Sequence, residues 1–138
     1  MKAIFVPVLA ICLFVTPLTA IAQQIAPADD GSPIRLEVIQ ICRNVVDRTP
    51  VGVDSVFSTN VGKIYCFTKV VGAQKETQVT HNWFKNGKLQ SSITLPVKSA
   101  SWRTWSLKEI RASDAGDWMV EVLGEDGNPL EAILFFIK

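Results

Sequence analysis

Residues 77–96 read TQVTHNWFKNGKLQSSITLP. Val79, His81 and Trp83 alternate with Gln78, Thr80, Asn82 and Phe84, which is the two-residue period of a β-strand. Asn86-Gly87 follows, and both residues tolerate positive φ, so the pair is the strongest short-range signal for a tight hairpin. A second β-rich run, Leu89–Leu95, begins beyond the turn. Working outward, similar runs enriched in β-branched and aromatic residues fall at 35–46, 52–57, 62–71, 102–109, 117–123 and 130–137. Asn60-Val61-Gly62 and Asp126-Gly127-Asn128-Pro129 punctuate them. No stretch sustains a helical period over several turns. Seven or eight short strands with frequent turns predict an all-β domain, an antiparallel sandwich or barrel.

The N-terminus has a different character. Lys2, the apolar run Ala3–Val15 and Ala20-Ile21-Ala22 have the charge, length and small-residue pattern of a cleavable export signal over residues 1–22. The run is short for a membrane span, which needs ~20 apolar residues. Residues 23–33, QQIAPADDGSP, read as a flexible segment, and 34–138 as one β-sandwich domain. The whole chain has 138 residues and a formal charge of +1. Without the leader, 116 residues remain, 13 basic against 13 acidic, and about 42% hydrophobic. Such a neutral chain argues against a strongly basic nucleic-acid binder and against a membrane span after signal cleavage. The expected location is periplasmic or secreted.

Export implies an oxidising compartment. Cys42 and Cys66 are the two cysteines outside the leader, and they are expected to form one disulfide. In the chain-entropy model it would contribute roughly 3.5 kcal/mol. There is no C-x-x-C for redox work. With His81 the only histidine, a zinc site is not expected, and no other metal or cofactor is called for.

Three local patterns resemble an immunoglobulin-type sandwich. Trp83–Lys88 looks like strand C with its core tryptophan. Asp114-Ala115-Gly116-Asp117-Trp118 looks like the corner before strand F, with Trp118 in the tyrosine's place. Cys66 falls where a strand B cysteine would, while Val120 stands at the strand F cysteine position, so the inter-sheet bridge of antibody domains is absent. Trp118, Val120 and Val122 share one face and read as core. Residues 132–137 are apolar on both faces. That suits a central strand covered on both sides better than an edge covered by another protein.

A more specific resemblance spans Val38 to Ile137. Arg48-Thr49-Pro50-Val51-Gly52, Tyr65-Cys66-Phe67-Thr68, His81-Asn82-Trp83, Trp102–Lys108 and Gly116–Val120 occur in the order and spacing of the bacterial domain of unknown function family 2914. The resemblance implies a small β-rich domain in exported or membrane-associated bacterial proteins. It brings no activity and no catalytic residues. Thr49 stands where the family often has an acidic residue.

His81 is the only side chain whose ordinary pKa lies near neutrality. No G-x-S-x-G elbow accompanies it, so the expected role is a strand histidine beside Trp83, hydrogen-bonded to a neighbour. Trp102 and Trp105 lie three apart and so point to opposite faces of a regular strand. Trp105, on the face of Arg103 and Leu107, is expected to pack inward. Trp102, on the face of Thr104 and Ser106, is expected to be the exposed platform. Trp102, Arg103, Trp105 and His81 are therefore the candidate binding residues, with no catalytic residue named. The expected function is a non-catalytic binding or accessory module of the bacterial cell envelope, contacting a protein or polysaccharide partner. The alternatives are a structural subunit docking through its C-terminal strand and, less favoured, a small hydrolase using His81.

Overall fold

The computed structural model describes residues 34–138, so the expected export signal and the 23–33 segment lie outside the described residues. The chain forms β1 (Arg35–Cys42), β2 (Asn44–Val46), β3 (Thr49–Val51), β4 (Val56–Phe57) and β5 (Lys63–Val71), then β6 (Thr77–Lys85) and β7 (Lys88–Val97). It continues with β8 (Ser101–Glu109), a 3-10 turn (Ala112–Asp114), β9 (Gly116–Leu123) and β10 (Pro129–Ile137). One sheet has the order β1-β5-β8 and the other β4-β10-β9-β6-β7. These orders match the A-B-E and A′-G-F-C-C′ layers of an immunoglobulin-like sandwich. Among the described residues the only parallel pair joins β4 to the end of β10.

The hairpin read from residues 77–96 is present. Asn86 and Gly87 have φ of 47° and 78°, and Lys85 pairs with Lys88. The Asn86 side chain accepts the Asp117 N–H at 3.0 Å, which binds this turn to the corner before β9. Gly116 at that corner has φ of 144°, and a Cβ there would stand 2.9 Å from Asn86 Oδ1, so only glycine fits. The missing tyrosine hydroxyl has a substitute: Trp118 Nε1–H donates to the Asp114 carbonyl at 2.8 Å.

The expected first strand is split. Arg43 interrupts it, and β2 and β3 form a hairpin of their own. Its turn residues, Asp47 and Arg48, have φ of 50° and 59°. A two-residue turn with positive φ at both positions usually recruits Asn or Gly, and neither is present to announce it.

The expected disulfide is not formed; Cys42 and Cys66 are both free and buried. Register supplies the reason. Across the β1–β5 ladder, Cys42 stands opposite Tyr65 and Cys66 opposite Ile41. Directly opposed residues share a face and successive residues alternate, so the two thiols point to opposite sides of the sheet. Cys66 lies in the core between the sheets. Cys42 lies on the outer side, where the backbone of Asn44 and Val51 contacts its thiol. Burial pushes both thiol pKa values up, and this keeps the sulfurs protonated and unreactive.

The core between the sheets follows the two-residue period. Ile64, Cys66, Thr68 and Val70 come from β5, Val79, His81 and Trp83 from β6, and Trp118, Val120 and Val122 from β9; all are buried. Phe135 of β10 is their aromatic hub. It stacks on Trp118 at 5.9 Å and meets Trp83 at 6.1 Å and Phe57 at 6.3 Å edge-on. The outer side of β10 is not covered as expected: Leu134 is 72% and Phe136 41% exposed.

The alternation along β10 gives a direct check. Phe135→Ala should cost about 3–5 kcal/mol, while Leu134→Ala, one residue away on the bare side, should change stability by about 0.5 kcal/mol or less. Urea titrations of the two variants measure the difference.

Candidate functional site

Strand β8 carries Trp102, Arg103 and Trp105, and the structure reverses the faces expected for them. Thr104 and Ser106 are buried, Arg103 and Leu107 are exposed, and Trp105 on their side is half-buried. Trp102 is also half-buried, but it packs against the core. The sequence expectation placed polar residues outward. Here the inward side of β8 is polar because it feeds a hydrogen-bond chain between the sheets.

That chain centres on His81, which is fully buried. Trp83 Nε1–H donates to Ser106 Oγ at 3.0 Å, and Ser106 lies 2.7 Å from His81 Nδ1. On the other side of the ring, His81 Nε2 lies 3.3 Å from Thr68 Oγ1, whose hydroxyl donates to the Thr104 carbonyl at 2.9 Å. Thr68 has spent its proton on that carbonyl, so it accepts from His81 Nε2–H. Nδ1 is then the acceptor for the Ser106 hydroxyl, and every group has one partner of the right kind. The Ser–His contact resembles half of a hydrolytic pair. Among the described residues no carboxylate bonds the imidazole, and Ser106 is itself buried, so this geometry holds sheets together and offers no reacting atom to solvent.

Burial lowers the His81 pKa to about 4. A proton on Nδ1 would also oppose the donor already pointing at it. The unfolded chain binds that proton near pH 6.5. The unfolded state therefore holds more protons between pH 6.5 and 4. Stability from this site is fully present above pH 6.5 and declines as pH falls toward 4.

The outer side and free edge of β8 form a shallow groove of about 200 Å³, lined by Pro96, Lys98, Trp102, Arg103, Thr104 and Trp105. β8 is the edge strand of its sheet, as β7 is of the other, so the groove opens where the sandwich is unclosed. Trp105 stacks on Phe67 at 6.3 Å and 15°. Phe67 is on the outer face of β5 yet buried, so the pair forms a small cluster outside the main core. The tip of the β2–β3 hairpin lies beside the groove. Arg48 lies 5.6 Å over the Trp102 ring, and Arg103 donates to the Arg48 carbonyl at 3.4 Å.

The groove is cationic. Among the described residues the ion pairs are Lys69–Glu37 at 2.8 Å and Lys85–Asp114 at 4.0 Å, so Arg48, Lys98 and Arg103 have no carboxylate partner there. Lys69 bonds Glu37 and holds its carboxyl below the usual carboxylate range. Trp102, Arg103 and Trp105 are thus brought together, whereas His81 faces away from them into the core. Lys98, Arg48 and Pro96 were missed by the sequence reading, because only the packing of separate sheets brings them near β8. No group of three or more His, Cys, Asp or Glu side chains suited to holding a metal occurs among the described residues.

The His81 chain generates a pH test. Between pH 6.5 and 4, the parent should lose about 3 kcal/mol more stability than His81→Gln. Urea titrations across that window measure both slopes, and carboxylate contributions cancel in the comparison. Equal slopes would contradict a neutral, bonded His81.

A search of curated proteins finds no match to the chain. A family model does match, over a shorter span than the resemblance drawn from the sequence. It covers β6 to β10, with His81-Asn82-Trp83, all of β8 and Gly116–Val120, and leaves out Arg48–Gly52 and Tyr65–Thr68. Residues 76–137 match the model of the family described as Protein of unknown function (DUF2914).

Proposed function

We propose that the chain is an exported, non-catalytic binding module of the bacterial cell envelope, and that it holds its partner in the groove along β8. Of the two partner classes considered, protein and polysaccharide, the chemistry favours an acidic polysaccharide. One observation carries the reading: Trp102 and Trp105 line a groove with Lys98 and Arg103, neither of which has an ion-pair partner among the described residues. Indole surfaces stack on the C–H faces of sugar rings, and guanidinium groups pair bidentately with carboxylates. A volume of about 200 Å³ is below the ~300–1,000 Å³ of a pocket that engulfs a small molecule. It suits a shallow contact with one unit of a chain at a time.

A second reading has its own support. β4 pairs with β10 only at Phe136 and Ile137, which leaves the rest of that edge without a strand among the described residues. An extended segment of a partner would add there by backbone pairing. The hydrolase reading has the least support, since His81 and Ser106 are both buried.

Affinity electrophoresis in gels containing alginate, hyaluronan or neutral dextran tests the proposal. The acidic polymers should retard the protein and dextran should not. Arg103→Ala combined with Trp105→Ala should weaken retardation tenfold or more, about 1.4 kcal/mol. Equal retardation of parent and variant would reject the groove.

A further inference from the structure

The outer side of the five-stranded sheet carries a feature unrelated to the groove. Leu134 of β10 stands opposite Met119 of β9, Met119 opposite Phe84 of β6, and Phe84 opposite Leu89 of β7. Four apolar side chains thus line up across four strands, a row of three strand spacings or ~14 Å. Phe136, two residues along β10 from Leu134 and opposite Asp117, adds apolar surface beside one end of the row with its β4 neighbour Val56. Leu134 is 72%, Leu89 55%, Phe136 41% and Val56 39% exposed, whereas a solvent-facing side of a sheet is ordinarily polar. The next row, Ala132-Glu121-Asn82-Ser92, is polar, and Ser92 bonds Asn82 at 2.6 Å.

The charges that flank the row on β9 are both acidic. Asp117 and Glu121 lie on β9 two residues to either side of Met119 and point the same way as it does. Neither has an ion-pair partner among the described residues. Lys85, at the end of β6, is turned to Asp114 and the Ser113 carbonyl. The Ser55 and Val56 N–H groups that bond Asp54, then Arg43 and last Lys138, past β10, hold its carboxyl below the usual range. A second copy laid on this face would bring carboxylates against carboxylates, which disfavours self-association.

We propose that this row docks an amphipathic helix of a partner protein, one whose narrow apolar ridge is flanked by Lys or Arg. The dimensions agree. A helix lying across the strands presents a ridge residue about every 5.4 Å, against about 4.8 Å between strands. Its flanking cations then fall over Asp117 on one side and Glu121 on the other. The apolar row supplies contact area, and the carboxylates select the sign of the partner and set its register.

The test uses the purified full chain and a fluorescein-labelled Leu/Lys amphipathic peptide of roughly 18 residues, long enough to hold a helix. The comparison peptide carries Glu in place of Lys. Anisotropy should rise with the Leu/Lys peptide, less so at high salt, and not with the Leu/Glu peptide. Leu89→Asp with Leu134→Asp should weaken binding at least tenfold, and Asp117→Lys with Glu121→Lys should abolish the preference for Lys. Leu107→Asp, on the other sheet, and Arg103→Ala with Trp105→Ala should bind like the parent, which separates this surface from the groove. Thermal melts monitored by circular dichroism confirm that each variant folds. No binding, equal binding of both peptides, or binding that survives Leu89→Asp with Leu134→Asp would overturn the proposal. So would a dimer in sedimentation velocity that Leu134→Asp dissolves, since the row would then belong to a second copy.

Discussion

The bonds to His81 determine how the two sheets of this sandwich face each other. Trp83 and His81 come from the five-stranded sheet, and Thr68, Thr104 and Ser106 from the three-stranded one. A buried polar group without a partner costs about 1–3 kcal/mol. Sliding β8 by one residue would turn Thr104 and Ser106 outward and leave several such groups unpaired at once. The chain therefore fixes register as well as contributing stability, a role that apolar contacts alone perform less sharply because they tolerate repacking.

Register at β8 in turn decides what the surface presents. With Thr104 and Ser106 turned inward, Arg103 and Trp105 must turn outward, and Trp105 finds Phe67 opposite it. The β2–β3 hairpin then brings Arg48 to Trp102. The groove is thus a by-product of core polarity. The apolar row on the other sheet is independent of it, since it rests on the alternation of β6, β7, β9 and β10. The two surfaces lie on different sheets and differ in charge, one basic and aromatic, the other apolar and acidic. They suit partners of different chemistry.

Much of this architecture was legible in the residues. Asn86-Gly87 marked its hairpin, and Trp118, Val120 and Val122 declared the core side of β9, because turn chemistry and a strict two-residue period are local signals. The family resemblance rested partly on Trp102–Lys108 and Gly116–Val120, and both lie inside the matched span. What was not legible depended on partners distant in sequence. Thr104 and Ser106 look solvent-facing until His81 and Thr68 are placed beside them. Cys42 and Cys66 look like a pair until the β1–β5 register sends them to opposite sides. Asp47-Arg48 hides a turn because neither residue advertises positive φ. The apolar last strand suggested cover on both sides, yet β10 is covered on one, and its bare side became an observation in its own right.

The placement of β8 rests on the direction of the hydrogen bonds through His81. Long-range proton–nitrogen correlation of the imidazole at pH 7 reads this directly. It should show a single neutral tautomer, with the proton on Nε2 and Nδ1 unprotonated. A ring exchanging between both tautomers, a proton fixed on Nδ1, or a charged imidazolium would contradict the chain of bonds on which the placement of β8 depends.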